Sequence, residues 1–155
     1  MKRTVIHKLG MPTLAVGLLV TSPRSLRADE GEARQCKNAT LKGDYGFHAT
    51  GIRNVPGAPG QTEMHATMGM RTYDGKGGVS GLTLVTQGQL TGVRVGLPST
   101  GTYEVNPDCT GKITLYVTGV PVAIEAAFVI VDEGRQIKEV PTSPGGIGVA
   151  LLHRK

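Results

Sequence analysis

Residues 103–117 read YEVNPDCTGKITLYV. Tyr103 and Val105 alternate with polar neighbours, and so do Ile113, Leu115 and Val117, which is the period of a half-buried strand. Between them, Asn106-Pro107-Asp108-Cys109-Thr110-Gly111 has the residues of a turn. Proline presets φ, aspartate bonds nearby backbone, and glycine accepts positive φ. The stretch predicts a β-hairpin with a cysteine at its tip. The other cysteine, Cys36, precedes the first expected strand. In an exported chain, two cysteines read most economically as one disulfide, which here ties the hairpin to the start of the fold.

Outward from the hairpin the same period recurs. Alternating runs are read at 45–53, 63–73, 79–86, 90–97, 122–131, 135–140 and 147–154, separated by turn residues such as Asp74-Gly75 and Asp132-Glu133-Gly134. Asp-Gly supplies the backbone conformation of tight hairpins. Pro98-Ser99 reads as a turn, and 54–61, with its prolines and glycines, as a loop. The fold class is all-β: a small antiparallel meander barrel of about eight or nine strands, with a β-sandwich as the alternative. On 122–131 and 147–154 both faces carry apolar residues. This implies strands covered on both sides or a second buried surface such as a homodimer interface.

The start of the chain reads differently. Lys2, Arg3 and Lys8 precede an apolar run over 9–20, too short to span a bilayer, followed by small and polar residues. That is the pattern of a secretory signal, taken as 1–28. Residues 29–35 read as a flexible tail and 36–155 as one barrel domain. The expected location is periplasmic, cell-surface or extracellular, with no stable membrane span. Of the 17 basic residues, Lys2, Arg3, Lys8, Arg24 and Arg27 fall in 1–28, which holds no acid. The remainder is formally neutral, with 12 bases against 12 acids. A nucleic-acid partner is therefore not expected.

Three stretches carry a resemblance: CKNATLKGDYGF from Cys36, YDGKGGVSG from Tyr73, and YEVNPDCTG from Tyr103. Together they resemble a group of uncharacterised small exported bacterial β-proteins, which implies export, an all-β fold and the cysteine pair. The general plan is similar to lipocalin-like (calycin) barrels. Gly43-Asp44-Tyr45 echoes the lipocalin opening motif without its tryptophan. This is a likeness of fold and implies no activity.

Chemistry-bearing residues are few. His48 and His65 lie on neighbouring expected strands and could begin a metal site, but no spacing supplies a third ligand, and no metal or other cofactor is expected. Met64, Ala66, Met68 and Met70 form an apolar row read as facing the core, with His65, Thr67 and Arg71 facing away. Glu104 and Glu125 are lone charges in uncharged strands. Asn38-Ala39-Thr40 fits a glycosylation acceptor. No catalytic constellation is visible. The leading reading is a non-catalytic barrel binding a small apolar or amphipathic ligand, lined by residues such as Tyr45, Phe47, Met68 and Phe128. The alternatives are an interaction protein with a filled interior, and an enzyme using His48 and His65 with a carboxylate.

Overall fold

The computed structural model describes residues 35–155; the expected signal (1–28) and most of the expected tail (29–35) lie outside them. Eight strands follow one another in a closed antiparallel barrel: β1 Gly43–Asn54, β2 Thr62–Tyr73, β3 Gly78–Gly88, β4 Gly92–Val105, β5 Thr110–Val117, β6 Ile124–Val131, β7 Gln136–Pro141 and β8 Ile147–Arg154. Each strand pairs with its sequence neighbours, and β8 closes on β1 through the register Phe47↔Leu152. Closure leaves no sheet edge unpaired. The hairpin of 103–117 is β4–β5, paired Tyr103↔Ile113.

Expected strands 90–97 and 103–105 are one strand. Pro98 stays within β4, its carbonyl accepting from the Thr118 amide. The pairing is irregular instead at Leu84 and Gly96: the ladder runs Thr83↔Leu97 and then Val85↔Val95, skipping one residue on each strand. Gly96 has φ +64°, a conformation glycine adopts without steric penalty.

One end of the barrel is closed. Tyr45, Tyr73 and Tyr103 stack edge to face, with centroids 5.2 and 5.0 Å apart, a favoured aromatic geometry. The 3₁₀ turn Asn38–Leu41 lies at this end with Leu41 fully buried. The tyrosine hydroxyls find partners: Tyr45 donates to the Gly134 carbonyl and accepts from Arg154, and Tyr103 donates to the Asn38 carbonyl. Cys36 and Cys109 are disulfide-bonded, and the Cys36 amide bonds the Pro107 carbonyl. Ile113, Phe128, Ile130, Ile137 and Leu152 complete the core. The Asn38 side chain accepts from the Val105 amide and donates to the Lys76 carbonyl, so the acceptor motif at 38–40 has a structural use here.

The faces of β2 are the reverse of the expectation. Glu63, Gly69, Arg71 and Tyr73 are buried, and His65 and Thr67 are half-buried. Met64 and Met68 project outward at 67% and 51% exposure. Tyr73 in the aromatic stack fixes this parity, since residues two apart share a face. Gly69 is part of the same arrangement: a Cβ there would lie 2.2 Å from the Leu82 carbonyl oxygen and 2.8 Å from the Phe47 ring. On β6 and β8, Ala126, Phe128, Ile130, Ala150 and Leu152 point inward, while Val129 and Val149 are exposed. The outer faces are thus uncovered by other described residues.

Candidate functional site

The end opposite the tyrosine stack is open. A cavity of about 210 Å³ enters there, between the ends of β1, β3, β5 and β7 and the starts of the strands that follow them. Its walls are mostly apolar: Ile52, Leu97, Leu115, Val117, Val120 and Ile124, with Pro56, Pro141 and Pro144 near the connections. Phe47, Thr67, Thr83, Ser99 and Arg71 also line it. An apolar pocket with a few placed polar groups is the usual form of a small-molecule site.

Arg71 and Glu139 are both buried, and a single Arg71 Nη reaches both carboxylate oxygens at 2.7 Å. The guanidinium carbon lies 4.8 Å from the centroid of Phe47, over the ring face, an attractive cation–π geometry. Tyr73 donates to the same carboxylate at 3.3 Å. Burial disfavours the Arg71 charge, but Glu139 outweighs it and holds the guanidinium protonated. Burial, helped by Glu139, pushes the Tyr73 hydroxyl up. The pair separates the open cavity from the aromatic plug.

A second cluster sits nearer the mouth. Arg53 donates to Glu63 at 2.9 Å, to Thr86 at 2.9 Å and to Thr91 at 3.1 Å. Glu63 also accepts from the Leu90 and Thr91 amides and the Thr91 hydroxyl. Burial alone would raise the Glu63 carboxyl; the bonds from Thr91, Leu90 and Arg53 overcome it and lower it from 4.5 to about 2. Because the folded value is depressed, the carboxylate's contribution to stability is full above about pH 4.5 and is lost as pH falls through about 2. Urea midpoints measured across that window should fall steadily in the native protein, and the Glu63→Gln variant should show a shallower decline. Equal slopes would remove Glu63 as a source of acid sensitivity.

His65 also lines the cavity. Its Nδ1 is buried without a hydrogen-bond partner among the described residues. Burial and the nearby Arg53 hold the imidazole below its usual range, against a bond to the Gly51 backbone and the attraction of Glu63. Arg94 is the remaining cation of the lining.

Of the residues expected at a ligand site, Phe47 lines the cavity, and Tyr45 and Phe128 lie in the core of the closed end. Met68 is on the outer surface, because the parity of β2 turns the methionine row away from the interior. His48 is exposed outside, across the wall from His65, so the two imidazoles do not meet. Glu104 is at the surface, 3.1 Å from Lys112, and Glu125 is exposed; neither joins the histidines. The enzyme alternative therefore has no assembled site in the described residues. Sequence reasoning misses Arg53, Arg94 and Glu139, and reaches Glu63 only as a third ligand beside the histidines, not as the partner of Arg53.

No family model and no curated protein sequence matches the chain, so the resemblance to small exported bacterial proteins gains no support there. Among solved structures, the chain is similar to a redesigned beta barrel, with a TM-score of 0.52 and 15% identity over 76% of this chain and 94% of that one. At that identity the likeness shows the fold alone: a small closed barrel of antiparallel strands.

Proposed function

We propose that this is an exported, non-catalytic barrel protein whose open end binds a small apolar or amphipathic molecule. The observation that carries the reading is the asymmetry of the interior. One end is packed solid with aromatic and aliphatic side chains, and the other holds a cavity with apolar walls and buried polar groups behind them. Export is supported by the disulfide and by the basic-then-apolar opening of the chain.

A ligand that binds only the folded state raises the melting temperature by mass action. Decanol is a suitable neutral probe. Increasing decanol should raise Tm progressively in the native protein, while Leu97→Trp, which fills the cavity from its wall, should suppress the rise. An unchanged Tm in the native protein, or an equal rise in both, would refute the cavity as the site.

One further observation favours a second reading, an interaction surface on the outer wall. Outward-facing Met68, Val85 and Val95 are register partners across β2, β3 and β4, and Met70, Leu82 and Pro98 form the next row. Met68, Leu82 and Val95 are 39–66% exposed. Contiguous apolar patches of this kind mark contact surfaces, and a second copy of the chain is the simplest occupant. The two readings are compatible, since they use opposite faces of the same strands.

A further inference from the structure

Taking the open-end cavity as a binding site, as above, we propose that its ligand is an amphipathic anion whose acid group is held by Arg94. The argument is one of charge. The cavity lining includes three arginines, Arg53, Arg71 and Arg94, and no aspartate or glutamate. Two of the three are neutralised from behind. Arg53 is ion-paired with Glu63, and its three guanidinium nitrogens all have partners in Glu63, Thr86 and Thr91. Arg71 is paired with Glu139.

Arg94 has no such partner among the described residues. It is half-buried and faces inward, since its register partner is the buried Thr86. Its hydrogen bond is a long one, 3.5 Å, to the Gly119 carbonyl. A guanidinium has five N–H donors. With one long bond made, the remaining donors are open to a ligand, and an anion brought there gains charge-assisted hydrogen bonds at the edge of an apolar cavity. The apolar walls suit the rest of such a molecule, which would lie against Leu97, Leu115, Val117 and Ile124. The site as a whole selects for an acid carrying an apolar chain or ring over a neutral or cationic analogue of the same shape.

Three probes with one tail separate head-group recognition from tail binding: decanoate, decanol and decyltrimethylammonium, each titrated by calorimetry into the native protein, Arg94→Gln and Arg94→Lys. The expected result is that decanoate binds about tenfold or more tighter than decanol, with the ammonium weakest. In Arg94→Gln decanoate should fall to the level of decanol while decanol itself is little changed, which also shows that the cavity survives the substitution. Arg94→Lys should keep much of the preference. Raising salt should weaken decanoate and spare decanol in the native protein, a check that does not depend on any variant folding. The inference is overturned if decanoate binds no better than decanol, or if its advantage persists in Arg94→Gln; in either case the cavity reading stands. If none of the three binds the native protein, both are wrong.

Discussion

Arg71→Met destabilises the barrel by about 3–5 kcal/mol, and adding Glu139→Leu to the same chain recovers most of that loss. The expectation follows from where the pair sits. Both groups are buried, and Glu139 accepts from Arg71 and Tyr73. Removing the guanidinium alone leaves a carboxylate in the interior with only a 3.3 Å tyrosine bond to stabilise it. That is the costly half of the asymmetry between breaking a buried ion pair and replacing it. The double variant removes both charges and fills the space with apolar atoms, leaving the Tyr73 hydroxyl as the one group short of a partner, so recovery is incomplete. Urea unfolding of the two single variants and the double completes the cycle. Additive losses, with the double variant less stable than either single, would show that the two side chains do not interact as described.

Loss of the disulfide is the second large effect. Cys36 and Cys109 are 73 positions apart, and freeing a loop of that length costs about 4 kcal/mol on the chain-entropy account. The bond fastens the segment that carries Leu41 onto the β4–β5 turn. The same segment supplies the Asn38 groups bonded to Val105 and Tyr103. Cys36→Ala/Cys109→Ala should therefore lower the urea midpoint sharply, as should reduction of the native protein. It should also speed amide exchange first at the closed end, around Tyr103 and Val105. A midpoint within error of the native one would contradict the tethering role.

Much of this architecture is legible from period two. Alternation at 103–105 and 113–117 gives the hairpin, the turn residues give its register, and the cysteine pair is found bonded. What was hidden is the parity of two strands. For β2, a hydrophobic count puts the methionines inside, because it cannot see that Arg71 is neutralised by a glutamate 68 residues away. Tyr73 carried the needed signal: it shares a face with Arg71, and the three buried tyrosines lie at the same end of the barrel. For β4, simple alternation back from Tyr103 keeps odd positions inside and would send Arg94 out. The irregularity at Leu84 and Gly96 reverses the parity, so Leu97 and Arg94 both face the interior. Gly96 is a glycine inside a strand, a residue that often marks such a site, but its effect on direction depends on the partner strand. Pro98 misled in the opposite sense, suggesting a break where the chain continues.

The two clusters also explain how the interior of one small barrel serves two ends. Aromatic and aliphatic side chains fill the half near the disulfide. In the other half, short polar residues such as Thr67, Thr83 and Ser99 leave space that larger side chains would occupy. Arg53 and Arg71, each paired with a carboxylate, brace that space, since a satisfied polar network holds its members in place.

The claim that the open half of the barrel is a ligand cavity is tested most directly by solution NMR of the uniformly ¹⁵N-labelled protein during a decanol titration. Amide shifts should move at Thr67, Thr83, Leu97, Ser99 and Val117, whose side chains line the cavity, and should stay still at Tyr45, Tyr73 and Ile113 in the closed half. Shifts confined to the outward-facing Met64, Met68 and Val95 would place binding on the outer wall and contradict the account.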